Sequence, residues 1–310
     1  MVEKISYRGW NNAWQLSNGT VELVVLADVG PRVVRYGFRG DENILCELTH
    51  EAGLTGGNDF RLYGGHRLWA WPEVARTYFP DNRPVSVSQA GETIYFTSPI
   101  EDTSPGTHLQ RQFAITLDQQ GTRVHIAHTI TNHGAGSTEL AIWCPTMVRV
   151  CGKAVLPLPA RAAMDPEHFQ SVGPLTLWSF TDLADPRWRF GTDFIQLQQE
   201  ENPKGRFAEQ MTGIFNPAGW GAYYSQGTLF LKHAVPVAAA RYPDFGCNFE
   251  VFTNPHFLEL ETLSPVVELK PRASATHAET WALFRNVQSG EDEDWIRSTI
   301  APLAHSVSPP

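Results

Sequence analysis

The stretch "FLELETLSPVVELKP", Phe257–Pro271, decides the fold because it alternates with a period of two. On a strand, successive side chains point to opposite faces. Leu258, Leu260 and Thr262 therefore share one face, and Glu259, Glu261 and Leu263 share the other. A face with two carboxylates fits a solvated sheet surface. It also fits a cleft wall on which one partly desolvated carboxylate serves as a general base. Periodicity alone does not choose.

The same grammar extends outward in both directions. "TVELVVLADVG", "RVVRYGF", "ETIYFTSPI", "QRQFAITLD", "TRVHIAHTITN", "TELAIWCPTMVRV", "GWGAYYS", "GTLFLKHAV", "NFEVFTN" and "HAETWALF" are short strand-like runs broken by Gly, Pro, Asn and Asp. Such spacing, about ten residues between turn signals, predicts an all-β antiparallel sandwich or barrel. "LDQQGTRV" and "YYSQGTLF" place Gly where a hairpin turn needs positive φ. One helix is predicted, over 290–304 in "GEDEDWIRSTIAPLA", where acidic residues suit the positive end of the helix dipole. Residues 305–310 read as a frayed tail. Residues 152–215 read as loop excursions, and the whole of 1–310 as a single domain, since no linker or repeat divides it.

The net charge of −9, without any Lys/Arg stripe, argues against nucleic acid as a partner. No apolar run has the length of a membrane span and none resembles a signal peptide, which predicts a cytoplasmic protein without a membrane partner. Cys46, Cys144, Cys151 and Cys247 lack C-x-x-C spacing and read as reduced core residues. His125 and His128 are three apart on a strand, face opposite ways and cannot share a metal. No phosphate-loop, dinucleotide, nucleophile-elbow or zinc-protease motif is present, and neither a metal nor a cofactor is predicted.

Four further stretches carry candidate ligand-binding residues. "NDFRLYGGHRLWAWPE", Asn58–Glu73, joins paired glycines to His66, Arg67, Trp69 and Trp71, with Arg61 upstream. Flat indole faces with directional polar groups suit a polyol, and glycine allows close backbone approach. The same residues also fit an aromatic cluster closing one end of the sheet, with His66 structural. "RYPDFGCNFEVFTN" crowds Asp244, Asn248 and Glu250 around a turn, which a plain polar turn also explains. Lys204 in "NPKGRF" and Lys232 in "FLKHAV" are the remaining candidates, the latter explicable by an edge strand.

In order and spacing these motifs resemble the galactose mutarotase-like superfamily, the aldose 1-epimerases and hexose-6-phosphate epimerases. "NGTVELVVLADVGPRVVRYGF" is similar to its opening strands, "YGGHRLWAWPE" to a Gly-Gly segment ending in an aromatic-Pro pair, and "FLELETLSPVVELKPRASATHAETWALF" to its closing segment. The resemblance implies a β-supersandwich whose concave face holds a small carbohydrate. It further implies that Glu261 takes a proton from an anomeric hydroxyl, with Glu259 beside it, while a histidine protonates the ring oxygen. The family's His-Gly-x-x-Arg segment is replaced by "ARTYFPDNRPV", its other histidine by "WCPTM", and its arginine before Gly-Gly by Tyr63. His66 is then the candidate acid, because an imidazole suits proton transfer at neutral pH. Three readings remain: an isomerase acting at the anomeric carbon, a non-catalytic sugar-binding or sensing protein, and an enzyme acting on a longer carbohydrate. Neighbouring carboxylates on one strand do not flank a glycosidic bond, which disfavours the last.

Overall fold

The computed structural model describes residues 1–102 and 108–307. In chain order its strands are β1 (Val2–Tyr7), β2 (Trp10–Ser17), β3 (Val21–Leu26), β4 (Arg32–Phe38), β5 (Trp69–Trp71), β6 (Ser86–Ala90), β7 (Thr93–Thr97), β8 (Leu109–Leu117), β9 (Val124–Asn132) and β10 (Thr138–Val148). They continue as β11 (Lys153–Pro157), β12 (Leu175–Leu177), β13 (Trp188–Phe190), β14 (Phe194–Gln198), β15 (Gln210–Ile214), β16 (Trp220–Ser225), β17 (Thr228–His233), β18 (Phe249–Thr253), β19 (Leu258–Leu263), β20 (Val267–Leu269) and β21 (Ser274–Phe284).

Two layers face each other. One is the ten-stranded sheet β13-β14-β11-β16-β17-β21-β9-β8-β7-β6. The other has two parts, β1-β2-β3-β4 and β12-β15-β18-β19-β10-β20, with β5 also paired to β10. His66 stitches the two parts together, bridging Val33 of β4 on one side and Thr146 of β10 on the other. The diglycine before it makes the stitch possible. A Cβ on Gly65 would lie 2.1 Å from the Val33 carbonyl oxygen, and one on Gly64 2.3 Å from that of Cys46. Close approach of chain to chain is therefore what these glycines serve. Leu23, Phe113, Ile126, Ile142, Phe230, Leu258 and Leu260 belong to the main apolar cluster between the layers.

The region 152–215 differs from the expectation of plain excursions: β11 to β15 lie within it and extend both layers. Their short apolar runs are interrupted by Pro and Asp, which hid them. The C-terminal helix begins at Glu293, capped by the Asp292 carboxylate accepting from Trp295 N at 2.8 Å. It runs through a π-helical turn, Ile296–Ile300, into α-helix over Ala301–Val307. Pro302 lacks an N–H, and the widened turn accommodates the lost bond. The expected tail is thus helical to Val307, while 308–310 lie outside the described residues. Trp295, Ile296, Ile300 and Ala304 cover the outer face of the ten-stranded sheet at Ala222, Leu229 and Leu231. Cys46, Cys144 and Cys247 are buried thiols, but Cys151 is exposed, contrary to the reading of all four as core.

Candidate active site on the outer face of the β10–β19–β18 sheet

Register assembles the site. In antiparallel pairs, directly opposed residues share a face. Glu261 stands opposite Pro145 in β10 and Glu250 in β18, and Glu250 stands opposite Gly213 in β15. The row above joins Trp69, Trp143 and Leu263; the row below joins Met147, Glu259 and Phe252. Gly213 leaves room for its neighbour, because a Cβ there would sit 3.0 Å from Glu250 Cγ and 2.7 Å from Cys247 Sγ.

The side chains on this face are mutually engaged. Arg67 Nη1 donates to Glu259 Oε1 at 2.6 Å, and its guanidinium lies 3.9 Å from the Trp69 ring centroid. Trp143 Nε1 donates to Glu261 Oε2 at 2.5 Å, and Trp71 Nε1 to Asp244 Oδ1 at 3.2 Å. Trp69 packs edge-on against Trp143 and Tyr78, with ring centroids 5.1 and 5.7 Å apart, and tilted against Phe60 at 6.0 Å. Glu261 and Glu250 are each only 1 % exposed and Glu259 6 %, so this face is enclosed, not the solvated surface that the alternation also permitted. The roomier clefts lie elsewhere. One of about 790 Å³ runs beside Met1, Gln15, Asn18, Glu92 and Asp118, and one of about 580 Å³ beside Glu47, His50, Glu201 and Asn254.

Enclosure sets the electrostatics. Burial, then the charge of Glu259, pushes the Glu261 carboxyl up to about 8, with Arg67 and the Trp143 N–H pulling the other way. Burial, then Glu261 and Asp244, pushes Glu250 well above the usual carboxylate range. Glu250 and Glu261 therefore titrate as a pair that retains protons at neutral pH.

Several expected site residues are placed elsewhere. His66 lies on the opposite side of the sheet from Glu261, fully buried between the layers. Its Nδ1 meets Thr146 Oγ1 at 2.9 Å and its Nε2 meets His128 Nε2 at 2.7 Å, with its ring stacked on Phe113. One residue separates its parity from that of Arg67, and that sends the two side chains to opposite faces. Lys232 is not on an edge, since β17 lies between β16 and β21. It points into the interlayer core, donating to Cys144 O, Thr146 Oγ1 and Leu260 O and pairing with Glu279 Oε1 at 3.0 Å. Asn248 clips β18 to Asn216 through both ends of its amide, at 2.6 and 3.0 Å. Arg61 turns to Gly56 O and the Tyr63 hydroxyl, and Lys204 is exposed in the loop after β14.

Behind the sheet, His66, His128 and Glu279 bring potential metal-ligand atoms within 4.8 Å of one another. Those atoms are already committed. Glu279 accepts from Thr262, Lys232 and Trp281 Nε1, and His128 Nδ1 donates to His277 O at 3.0 Å. The Lys232 ammonium supplies the positive charge that a cation would bring, so the donor set fits an ion-pair network and not a metal. Burial lowers the pKa of all three histidines, His66 well below its ordinary value and His277 to about 4. Burial alone would raise the Glu279 carboxyl, but Lys232, His128, His277 and the Thr262 hydroxyl together outweigh it, Lys232 most of all, and hold Glu279 below the usual range.

Residues that sequence reading missed are Trp143, Phe60 and Tyr78. Trp143 was legible in principle: in "IWCPTM" it shares parity with Pro145 and Met147, but which strand it faces depends on register.

The fold is the galactose mutarotase-like fold. A galactose mutarotase-like protein from Lactobacillus casei superposes with a TM-score of 0.57 at 10 % identity, over 88 % of this chain and 100 % of that one. A Klebsiella pneumoniae protein proposed to be an aldose 1-epimerase gives 0.59 at 10 % identity, over 99 % and 86 %. A galactose mutarotase related enzyme from Lactobacillus acidophilus gives 0.54 at 9 %, over 90 % and 100 %. No family model matches the chain, and no curated protein matches its sequence. Among the described residues no helix is long and apolar enough to cross a membrane.

Proposed function

We propose that the outer face of β10, β19 and β18 binds a small carbohydrate and that Glu261 acts there as general base at the anomeric carbon, interconverting sugar anomers. The observation that carries this reading is a buried carboxyl pair beside three indoles: Glu261 and Glu250 opposed across two strands, with Trp69, Trp71 and Trp143 around them. Indole faces suit the C–H faces of a sugar ring, and a carboxyl poised near neutrality suits proton transfer. The fold shared with mutarotase-like proteins supports the same reading as an analogy of architecture. Because the carboxylates are enclosed, sugar entry has to displace side chains above them.

Glu261→Gln removes the base while keeping the size and the Trp143 hydrogen bond. The expected result is a fall of about 10²- to 10⁴-fold in anomer exchange, measured by NMR exchange spectroscopy on a panel of aldoses. An unchanged rate rejects the assignment. In the wild type, the rate should climb as pH approaches about 8, where Glu261 gives up its proton. A second reading, sugar binding or sensing without chemistry, is favoured by the position of His66 behind the sheet, which takes that imidazole away from Glu261. Calorimetric binding with no acceleration of exchange would select it.

A further inference from the structure

The position of His66 leaves the proton donor unassigned, and the outer face holds a group of the right kind. Glu250 has a buried oxygen, Oε1, with no hydrogen-bond partner among the described residues. Its side chain is 1 % exposed and stands directly opposite Glu261. Side chains in that relation have Cβ atoms roughly 4.5–5.5 Å apart, and two carboxylates so close in a water-poor site do not both ionise. Asp244, held by the Trp71 indole, adds a second negative neighbour. A carboxyl in that setting keeps a proton and has an oxygen free to present it.

We propose that Glu250 is the acid partner of Glu261, and that the substrate is an uncharged aldose. This rests on the reading of Glu261 given above. The Glu261 carboxylate removes the proton from the anomeric hydroxyl, and the O–H electrons form the C1=O1 double bond. The bond from C1 to the ring oxygen breaks, its electron pair stays on that oxygen, and Glu250 supplies the proton. After rotation about C1–C2 the steps reverse. The Glu250 carboxylate takes the proton back from the hydroxyl as it attacks C1, and protonated Glu261 returns a proton to O1. Both carboxyls end as they began, and no other reactant is consumed. The anomeric and ring oxygens are bonded to the same carbon, so the groups serving them belong side by side on one face. Adjacent strands provide that arrangement; a glycosidase pair must instead flank its bond from opposite sides.

The charge of the face defines the substrate class. Asp244, Glu250, Glu259 and Glu261 gather there, with Glu73 near enough to act on Glu250, and Arg67 is committed to Glu259. Lys232 is sealed behind the sheet, and Arg61 and Lys204 are elsewhere. A phosphate or carboxylate on the sugar would face this carboxyl cluster, with the Arg67 guanidinium already paired to Glu259.

The test compares wild type, Glu250→Gln and Glu261→Gln on neutral aldoses, hexose 6-phosphates and hexuronates. Glu250→Gln should lower kcat about 10²- to 10⁴-fold with little change in KM, and should remove a protonated-carboxyl infrared band present at pH 7. Glu250→Asp should retain part of the activity and displace the alkaline limb of the pH profile, which keeps the proposal open to refutation if the Gln variant folds poorly. A wild-type rate in Glu250→Gln with a lost rate in Glu261→Gln overturns the donor alone. A wild-type rate in Glu261→Gln overturns the base assignment instead, and absence of exchange by the wild type on every aldose overturns both. Preference for phosphorylated or acidic sugars overturns the substrate class.

Discussion

Lys232→Met tests whether the interlayer network is an ion pair sustained by mutual compensation. Lys232 and Glu279 are both fully buried, with Nζ 3.0 Å from Oε1. Methionine fills similar volume but leaves Glu279 with its charge uncompensated in the core. Removing one partner of such a pair costs about 3–5 kcal/mol. The loss should change with pH in a defined direction. In the wild type the Glu279 pKa is depressed, so its contribution is present above the unfolded-state carboxyl pKa and is lost as pH falls through the folded one. In Lys232→Met burial dominates and the folded pKa rises above the unfolded value. The contribution then reverses sign, being retained at low pH and lost as pH rises. Urea unfolding followed by fluorescence of the ten tryptophans, from pH 5 to 8, reads both effects. The variant should lie closest to wild type at pH 5 and furthest at pH 8. Replacing Glu279 by Met as well should recover part of the loss, with a coupling of about 1–3 kcal/mol. A single variant within about 1 kcal/mol of wild type across the range would refute a compensated pair.

The remaining predictions concern the histidines and the diglycine. His277, held near 4 by burial, is neutral in the fold and binds a proton on unfolding near its ordinary value. Its contribution to stability is complete above the unfolded pKa and is lost as pH falls toward about 4, on the order of 3 kcal/mol for that one group. Unfolding should therefore steepen between about pH 6.5, the ordinary histidine value, and about 4, and His277→Gln should flatten the profile; an unchanged slope contradicts the assignment. Gly65→Ala would drive a Cβ to 2.1 Å from Val33 O at a φ of +68° and should prevent soluble expression, whereas Gly121→Ala, strained at a similar φ of +77° but with open space around it, should fold. Equal expression of the two would show that the His66 stitch tolerates displacement.

Most of the architecture could be read from the sequence because period-two alternation and turn residues are local. The short strands between 153 and 214 escaped, since three to five residues interrupted by Pro and Asp carry too little periodicity to separate from loop. The candidate site was legible by parity and not by partner. Arg67, Trp69 and Trp71 share a side, as do Glu259 and Glu261, and both facts follow from counting. Whether His66 and Lys232 join them depends on which layer stands behind the strand, which no local pattern records.

That dependence explains why two ionisable groups expected at the candidate site lie behind the sheet instead. A histidine amid glycines and a lysine amid apolar residues are unusual in isolation, and a binding site is one way to account for both. The fold accounts for them together: Lys232 and His66 converge on the single hydroxyl of Thr146, which is aligned between Trp143 and Met147 with the opposite parity. The ammonium also binds the carbonyl of Leu260, the residue before Glu261. A cation is therefore fixed beneath the carboxyl cluster without touching anything that enters above it, and it counts among the charges that restrain the rise of the Glu261 pKa. Removing the Lys232 charge should thus move the pH optimum of anomer exchange upward as well as weakening the fold. An optimum that stays in place in a folded Lys232→Met protein would separate the two faces of β19 energetically and leave the network a structural element alone.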